Sequence, residues 1–176
     1  MNPDHADALE WTGWSYLALG KFEAALPYLQ RSTQIHPRHY MAKSHLMGCY
    51  ETLHRTEEAA KTRQLLYERV LDLLRAEPDN VHARSVLATT LVDMGHVEAG
   101  IQEAERAVVM SSGEPRMRYN AACTFARAGL ADKAIAPAQG GGARATDSTS
   151  PDWPRHDPDL ANVRSHPEFI RMFGAA

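Results

Sequence analysis

Apolar residues recur along this chain at helical spacing, in pairs of segments separated by a single turn residue. Phe22, Ala25, Leu26, Leu29 and Ile35 fall on one side of a helix, which predicts a helix over Phe22–Ile35. The stretch before it, about Asp7 to Leu19, is apolar along much of its length and stops at Gly20. Glycine there suits the left-handed residue that ends a helix. From Thr56 to Ala76 the chain has neither glycine nor proline, and Ala59, Leu66, Val70, Leu73 and Leu74 keep an apolar register. That pattern predicts one elongated helix. No convincing period-two alternation marks a strand.

The helix pairs repeat. Tyr16-Leu17-Ala18-Leu19-Gly20, Tyr50-Glu51-Thr52-Leu53-His54, Leu91-Val92-Asp93-Met94-Gly95 and Phe125-Ala126-Arg127-Ala128-Gly129 are four versions of one segment. Their turn residues Gly20, His54, Gly95 and Gly129 are separated by 34, 41 and 34 positions. A small residue follows five positions after each turn, at Ala25, Ala59, Gly100 and Ala134. A bulky residue precedes each by four, at Tyr16, Tyr50, Leu91 and Phe125. Pro3, Pro37 and Pro78 keep the same 34 and 41 steps and stand where a second helix must stop. The small residues, with Gly13, Ala88 and Ala122 on the first helices, allow two backbones to approach; Met47 is the exception. The seven extra residues of the middle step amount to about two helical turns, which returns the same face to the core.

These features together resemble the tetratricopeptide repeat: a 34-residue two-helix unit, small residues at the crossing, an aromatic closing the first helix and a terminal proline. The resemblance covers about residues 6–136 as units 6–39, 40–80, 81–114 and a partial 115–136. It implies an all-α fold, a right-handed superhelical solenoid of antiparallel helix pairs, with a concave groove that binds a protein or peptide. The groove residues it implies lie on the first helices. They are Asp7, Glu10, Trp11 and Trp14; Met41, Ser44, His45 and Gly48; His82, Ser85, Val86 and Thr89; and Arg116, Tyr119, Asn120, Cys123 and Arg127. Their charge runs from acidic to basic along the chain. Trp11 and Trp14 are the expected anchors, since tryptophan is enriched in binding hot spots. The family's clamp for carboxylate tails is missing, because its lysine and asparagine places hold Asp7, Trp11, Met41, His45, His82 and Val86.

The end of the chain is also similar to a known pattern. Tyr119-Asn120-Ala121-Ala122-Cys123 and the run from Trp153 to Phe169 look like the closing segment of bacterial tetratricopeptide proteins. That likeness implies a second reading, the regulatory region of a larger signalling protein such as a nucleotide cyclase, kinase or winged-helix regulator. Asp157-Pro158 and Ser165-His166-Pro167 are start signals for two short helices. Leu160, Val163, Phe169, Ile170, Met172 and Phe173 would supply the apolar side of a helical cap over 153–176. Pro137, Gly140-Gly141-Gly142 and the polar residues after them predict a flexible linker over 137–152. The opening Asn2-Pro3-Asp4-His5 reads as the end of an earlier unit. An uncapped first helix would then offer a surface for self-association.

Composition narrows the chemistry. A net charge of −3 over 176 residues gives no electrostatic case for nucleic acid or an anionic membrane. Two cysteines, Cys49 and Cys123, make no disulfide scaffold and fit a reducing cytoplasm. The nine histidines include the cluster His36, His39 and His45, yet no metal-ligand spacing such as Cys-x-x-Cys or His-Glu-x-x-His occurs. Gly140-Gly141-Gly142 lacks the lysine and hydroxyl residue of a phosphate loop, and there is no nucleophile elbow. The expectation is a protein without enzymatic activity, metal or cofactor.

Overall fold

The computed structural model describes residues 5–135 and 153–174. The linker expected over 137–152 and the first four residues lie outside them. All regular elements among the described residues are helical. The chain divides into two compact units, residues 1–69 and 70–176, and the division falls inside a helix rather than at a repeat boundary.

The first unit holds α1 (Ala6–Ala18), α2 (Phe22–Ile35), α3 (Tyr40–Thr52) and the start of α4 (Thr56–Ala76). α1 packs on α2 and α2 on α3, around buried Leu17, Ala25, Leu26, Leu29, Leu46 and Tyr50. Ser32 Oγ donates to the Ala6 carbonyl at 2.9 Å, tying the end of α2 to the start of α1. Pro27 lies within α2, where its missing N–H leaves the Glu23 carbonyl without the usual donor. Buried Leu26 and Leu29 on either side hold the helix in place.

The second unit holds the end of α4, α5 (Val81–Asp93), α6 (Val97–Met110), α7 (Pro115–Arg127) and a helical segment over 131–135. A short helix Trp153–His156, a 3-10 helix Pro158–Val163 and a last helix Pro167–Phe173 follow. α5 packs on both α6 and α7. The 3-10 helix packs on α7, burying Leu160 and Val163.

The repeated markers have physical causes. Gly20, His54, Gly95 and Gly129 all take positive φ, at 69°, 57°, 86° and 76°. The N–H of the next residue then donates back to the bulky marker's carbonyl: Lys21 to Tyr16 at 2.9 Å, Arg55 to Tyr50 at 2.8 Å, His96 to Leu91 and Leu130 to Phe125 at 2.9 Å. This closure satisfies carbonyls that a helix end leaves without partners. His54 is the one residue of the four with a Cβ in this conformation. The His54→Gly variant is therefore expected to gain about 1 kcal/mol of stability, read as a higher urea midpoint at unchanged slope.

The short helices of the tail differ in detail from expectation. The first is a 3-10 helix, opened by Asp157 Oδ1 accepting from the Asp159 N–H at 3.0 Å. In the second, the capping atom is His166 Nδ1, which accepts from the Glu168 N–H at 3.2 Å. Phe169 is buried, while Ile170 points to solvent and Met172 and Phe173 are half-buried. One face of a seven-residue helix cannot bury all four.

Candidate interaction surface

The implied groove residues split between the two units. In the first, Asp7, Glu10, Trp11 and Trp14 occupy one stripe of α1 at spacings of three and four. Three of them are engaged by their neighbours. Glu10 is buried and meets His45 Nδ1 at 2.8 Å, and Trp14 stacks on the His45 ring with centroids 4.8 Å apart. Asp7 lies 3.8 Å from His39 Nε2. Burial lowers the His39 pKa, against the pull of Glu10 and Asp7 and together with the repulsion of His36 and His45. Trp11 differs: the residue is 61% exposed. Met41, Ser44 and Gly48 on α3 are half-buried. The buried position of Glu10 corrects its expected role as a free acidic contact; its carboxylate lies against the His45 ring.

In the second unit the first helices α5 and α7 lie side by side, joined by a ladder of polar pairs. Arg116 Nη2 donates to His82 Nε2 at 2.7 Å. Arginine has no acceptor, so this ring nitrogen carries the lone pair. Burial first, and then the adjacent Arg116, lower the His82 pKa and keep the ring neutral. Asn120 Nδ2 donates to Ser85 Oγ at 3.1 Å, and the Thr89 and Thr124 hydroxyls meet at 3.0 Å. Arg127 Nε donates to Asp93 Oδ1 at 2.5 Å. The partners are 34 or 35 residues apart, one repeat, so the ladder follows from the period. Val86 stands between these pairs, half-buried.

The other side of α7 is covered by the tail. Tyr119 Oη donates to Asp157 Oδ2 at 2.7 Å, and Cys123 Sγ approaches the same oxygen at 3.7 Å. Arg127 Nη1 donates to Asp159 Oδ1 at 2.9 Å, and Arg164 Nη2 donates to the Asp157 carbonyl at 2.8 Å. Burial, reinforced by Asp157, raises the Tyr119 and Cys123 pKa values well above normal, so both keep their protons and act as donors. Tyr119, Cys123 and Ser85 are buried by packed neighbours, which corrects their expected exposure in a groove. Arg127 serves Asp93 and Asp159 at once, which removes it from the basic end of the expected charge gradient.

Cys123, Asp157 and Asp159 bring three ligand-type atoms within 4.8 Å of one another. Their chemistry suits hydrogen bonding better than a cation. The thiol stays protonated, Asp157 already accepts from Tyr119 and a backbone N–H, and the Arg127 guanidinium stands against Asp159.

Burial, with the neighbouring charge of Asp159, raises the Asp157 pKa from 3.8 to about 7. A carboxyl raised on docking favours the docked state while protonated. Its contribution is present in full below the free value and is lost as pH climbs toward about 7. The groups facing it are Tyr119, Cys123 and Arg127 from α7 and Asp159 and Arg164 from the tail. Tail docking is thus expected to be tighter at pH 5 than at pH 8. The emission of Trp153, isolated by Trp11→Phe and Trp14→Phe, reads this, and Asp157→Asn should flatten the profile.

Sequence reasoning did not single out Asp93, Thr124 or Asp159, and read Asp157 as a cap alone. The 34-residue offset could have found the first two, since each lies one repeat from its partner. Nothing in the spacing ties Asp157 to Tyr119.

Paired helices with short turns, small residues at the crossings and a one-repeat ladder between first helices define a helical-repeat scaffold of the kind that serves protein interaction. The sequence profile of the tetratricopeptide repeat matches residues 1–40, 12–62 and 85–147, and the chain belongs to that family. No curated protein matches it. Among solved structures, a thermophilic tetratricopeptide repeat protein of Thermus thermophilus is similar in fold, at 20% identity and a TM-score of 0.56 over 90% of this chain and 83% of that one. No helix among the described residues is long and apolar enough to cross a membrane.

Proposed function

We propose that the chain is a non-catalytic module that binds a protein or peptide on its first-helix surface, with Trp11 as the leading anchor. The observation that carries this reading is the 61% exposure of Trp11, beside exposed Asp7 and next to the engaged pair Trp14 and His45. A large indole held on a helix and left in water is a ready hot spot, because burying it on a partner removes apolar surface from water at small conformational cost. The supporting helix is already ordered, so binding need not order it. Asp7 beside the indole favours a basic group on the ligand.

Quantitative affinity capture with the intact chain, compared with Trp11→Ala and Trp14→Ala, tests this. Trp11→Ala should lose its main partners by tenfold or more, and Trp14→Ala should weaken them through the loosened His45 stack. Retention of every partner by both variants overturns the anchor assignment.

A further inference from the structure

We infer that the side of α7 carrying Tyr119, Cys123 and Arg127 is a recognition site for an acidic turn, two carboxylates two residues apart followed by leucine, which the chain's own tail occupies as a competitor. This rests on the interaction-module reading above and names the ligand chemistry and its regulation at one end of the first-helix surface.

The tail displays the complementarity. Asp157 takes the Tyr119 hydroxyl at 2.7 Å and Asp159 takes the Arg127 guanidinium at 2.9 Å. Leu160 and Val163 then close over α7 and are buried. Proline between the two carboxylates, at the start of the 3-10 helix, presets the turn that spaces them.

The site belongs to α7, not to the tail. One edge of α7 meets α5 through Arg116, Asn120 and Thr124, with Arg127 reaching to both sides, and a first helix in mid-stack would meet another on its opposite edge. Here that opposite edge meets the tail. The segment in place has little structure of its own to contribute, because a four-residue helix and a six-residue 3-10 helix are too short to persist alone. Docking therefore depends on contacts that a free peptide can copy. Burying Asp157 also carries a protonation cost near neutral pH, which leaves the resident segment less than optimally bound.

A tethered segment competes at an effective concentration on the order of 1 mM. A free peptide of equal intrinsic affinity is held off by the intact chain and admitted once the tail is weakened. Cys123 reports the state of the face, since its buried thiol lies under the tail.

The test uses the full chain in a Cys49→Ala background and a fluorescent peptide with the sequence of residues 153–165. In Asp157→Ala/Asp159→Ala, which removes both acceptors, Cys123 should react with a thiol reagent at least tenfold faster than in the parent. The peptide should bind that variant at least tenfold more tightly than the parent and restore Cys123 protection. Adding Tyr119→Phe should weaken the peptide several-fold. If the double variant loses helical circular dichroism, Asp159→Ala alone, changed at a half-exposed residue, takes its place.

Three results overturn the proposal. One is no peptide binding to a variant whose Cys123 reacts fast. Another is equal affinity for parent and variant. The third is unchanged Cys123 protection, which would show that the carboxylates are not what the face recognises. None of these touches the Trp11 surface, so partners lost on Trp11→Ala would keep the broader function standing while this site falls.

Discussion

Arg127→Met is expected to destabilise the second unit by about 3–5 kcal/mol, the cost of breaking a buried ion pair by removing one of its members. The charge in question is Asp93, whose side chain is 5% exposed. Asp93 is the last residue of α5, where the negative end of the helix dipole already disfavours a carboxylate. Arg127 Nε meets it at 2.5 Å, while Nη1 holds Asp159 of the tail at 2.9 Å. A methionine of similar length keeps the packing and removes both bonds. Urea unfolding followed by circular dichroism should show the loss. The double variant Arg127→Met/Asp93→Asn should recover more than half of it, because position 93 then buries no charge. A loss no larger than for an exposed ion pair, below about 1 kcal/mol, would show that the Arg127 network is only peripheral.

The second large effect concerns glycine at the helix crossings. A Cβ at Gly100 would stand 2.6 Å from the Ala88 carbonyl oxygen and 2.6 Å from Val92 Cγ2, with the Val92 nitrogen at 3.1 Å. Two of those atoms are backbone of α5, so relief requires α5 and α6 to move apart. Gly100→Ala should cost about 1–3 kcal/mol, in spite of the roughly 1 kcal/mol that alanine gains over glycine inside a helix. Gly100→Leu should cost more. Gly48 lies inside α3 with nothing within 4 Å of its missing Cβ. Gly48→Ala should therefore stabilise by up to about 1 kcal/mol. Gly13 falls between, since its Cβ would meet the Leu29 side chain at 2.6 Å and 2.7 Å. The opposite signs expected at positions 48 and 100 are the check, read as thermal midpoints of the two single variants.

Much of the fold was legible because its causes are local. The turn residues and the small residues after them repeat in one register, and the helices begin and end where those residues stand. His54 shows how far this goes: it keeps the turn's place, and it takes the same positive φ that the three glycines adopt freely. The elongated α4 followed from seven added residues without a breaker. The candidate surface was less legible. The residues expected on α1 and α7 share a stripe of each helix, but a stripe does not say whether a side chain meets water, a neighbouring helix or the tail. Trp11 and Trp14 have one residue type and one stripe, yet Trp11 is exposed while Trp14 stacks on His45.

By itself the amino-acid order determined the helix pairs, their period and the family, because capping, steric access at a crossing and helical periodicity act over a few residues. Tertiary structure alone decided that Tyr119 and Cys123 are sealed under Asp157, that Arg127 bridges two carboxylates, and that Glu10 is buried against His45. Those outcomes depend on which polar groups lose water together. That is fixed by contacts between residues about 30 or more positions apart, beyond the reach of any local pattern.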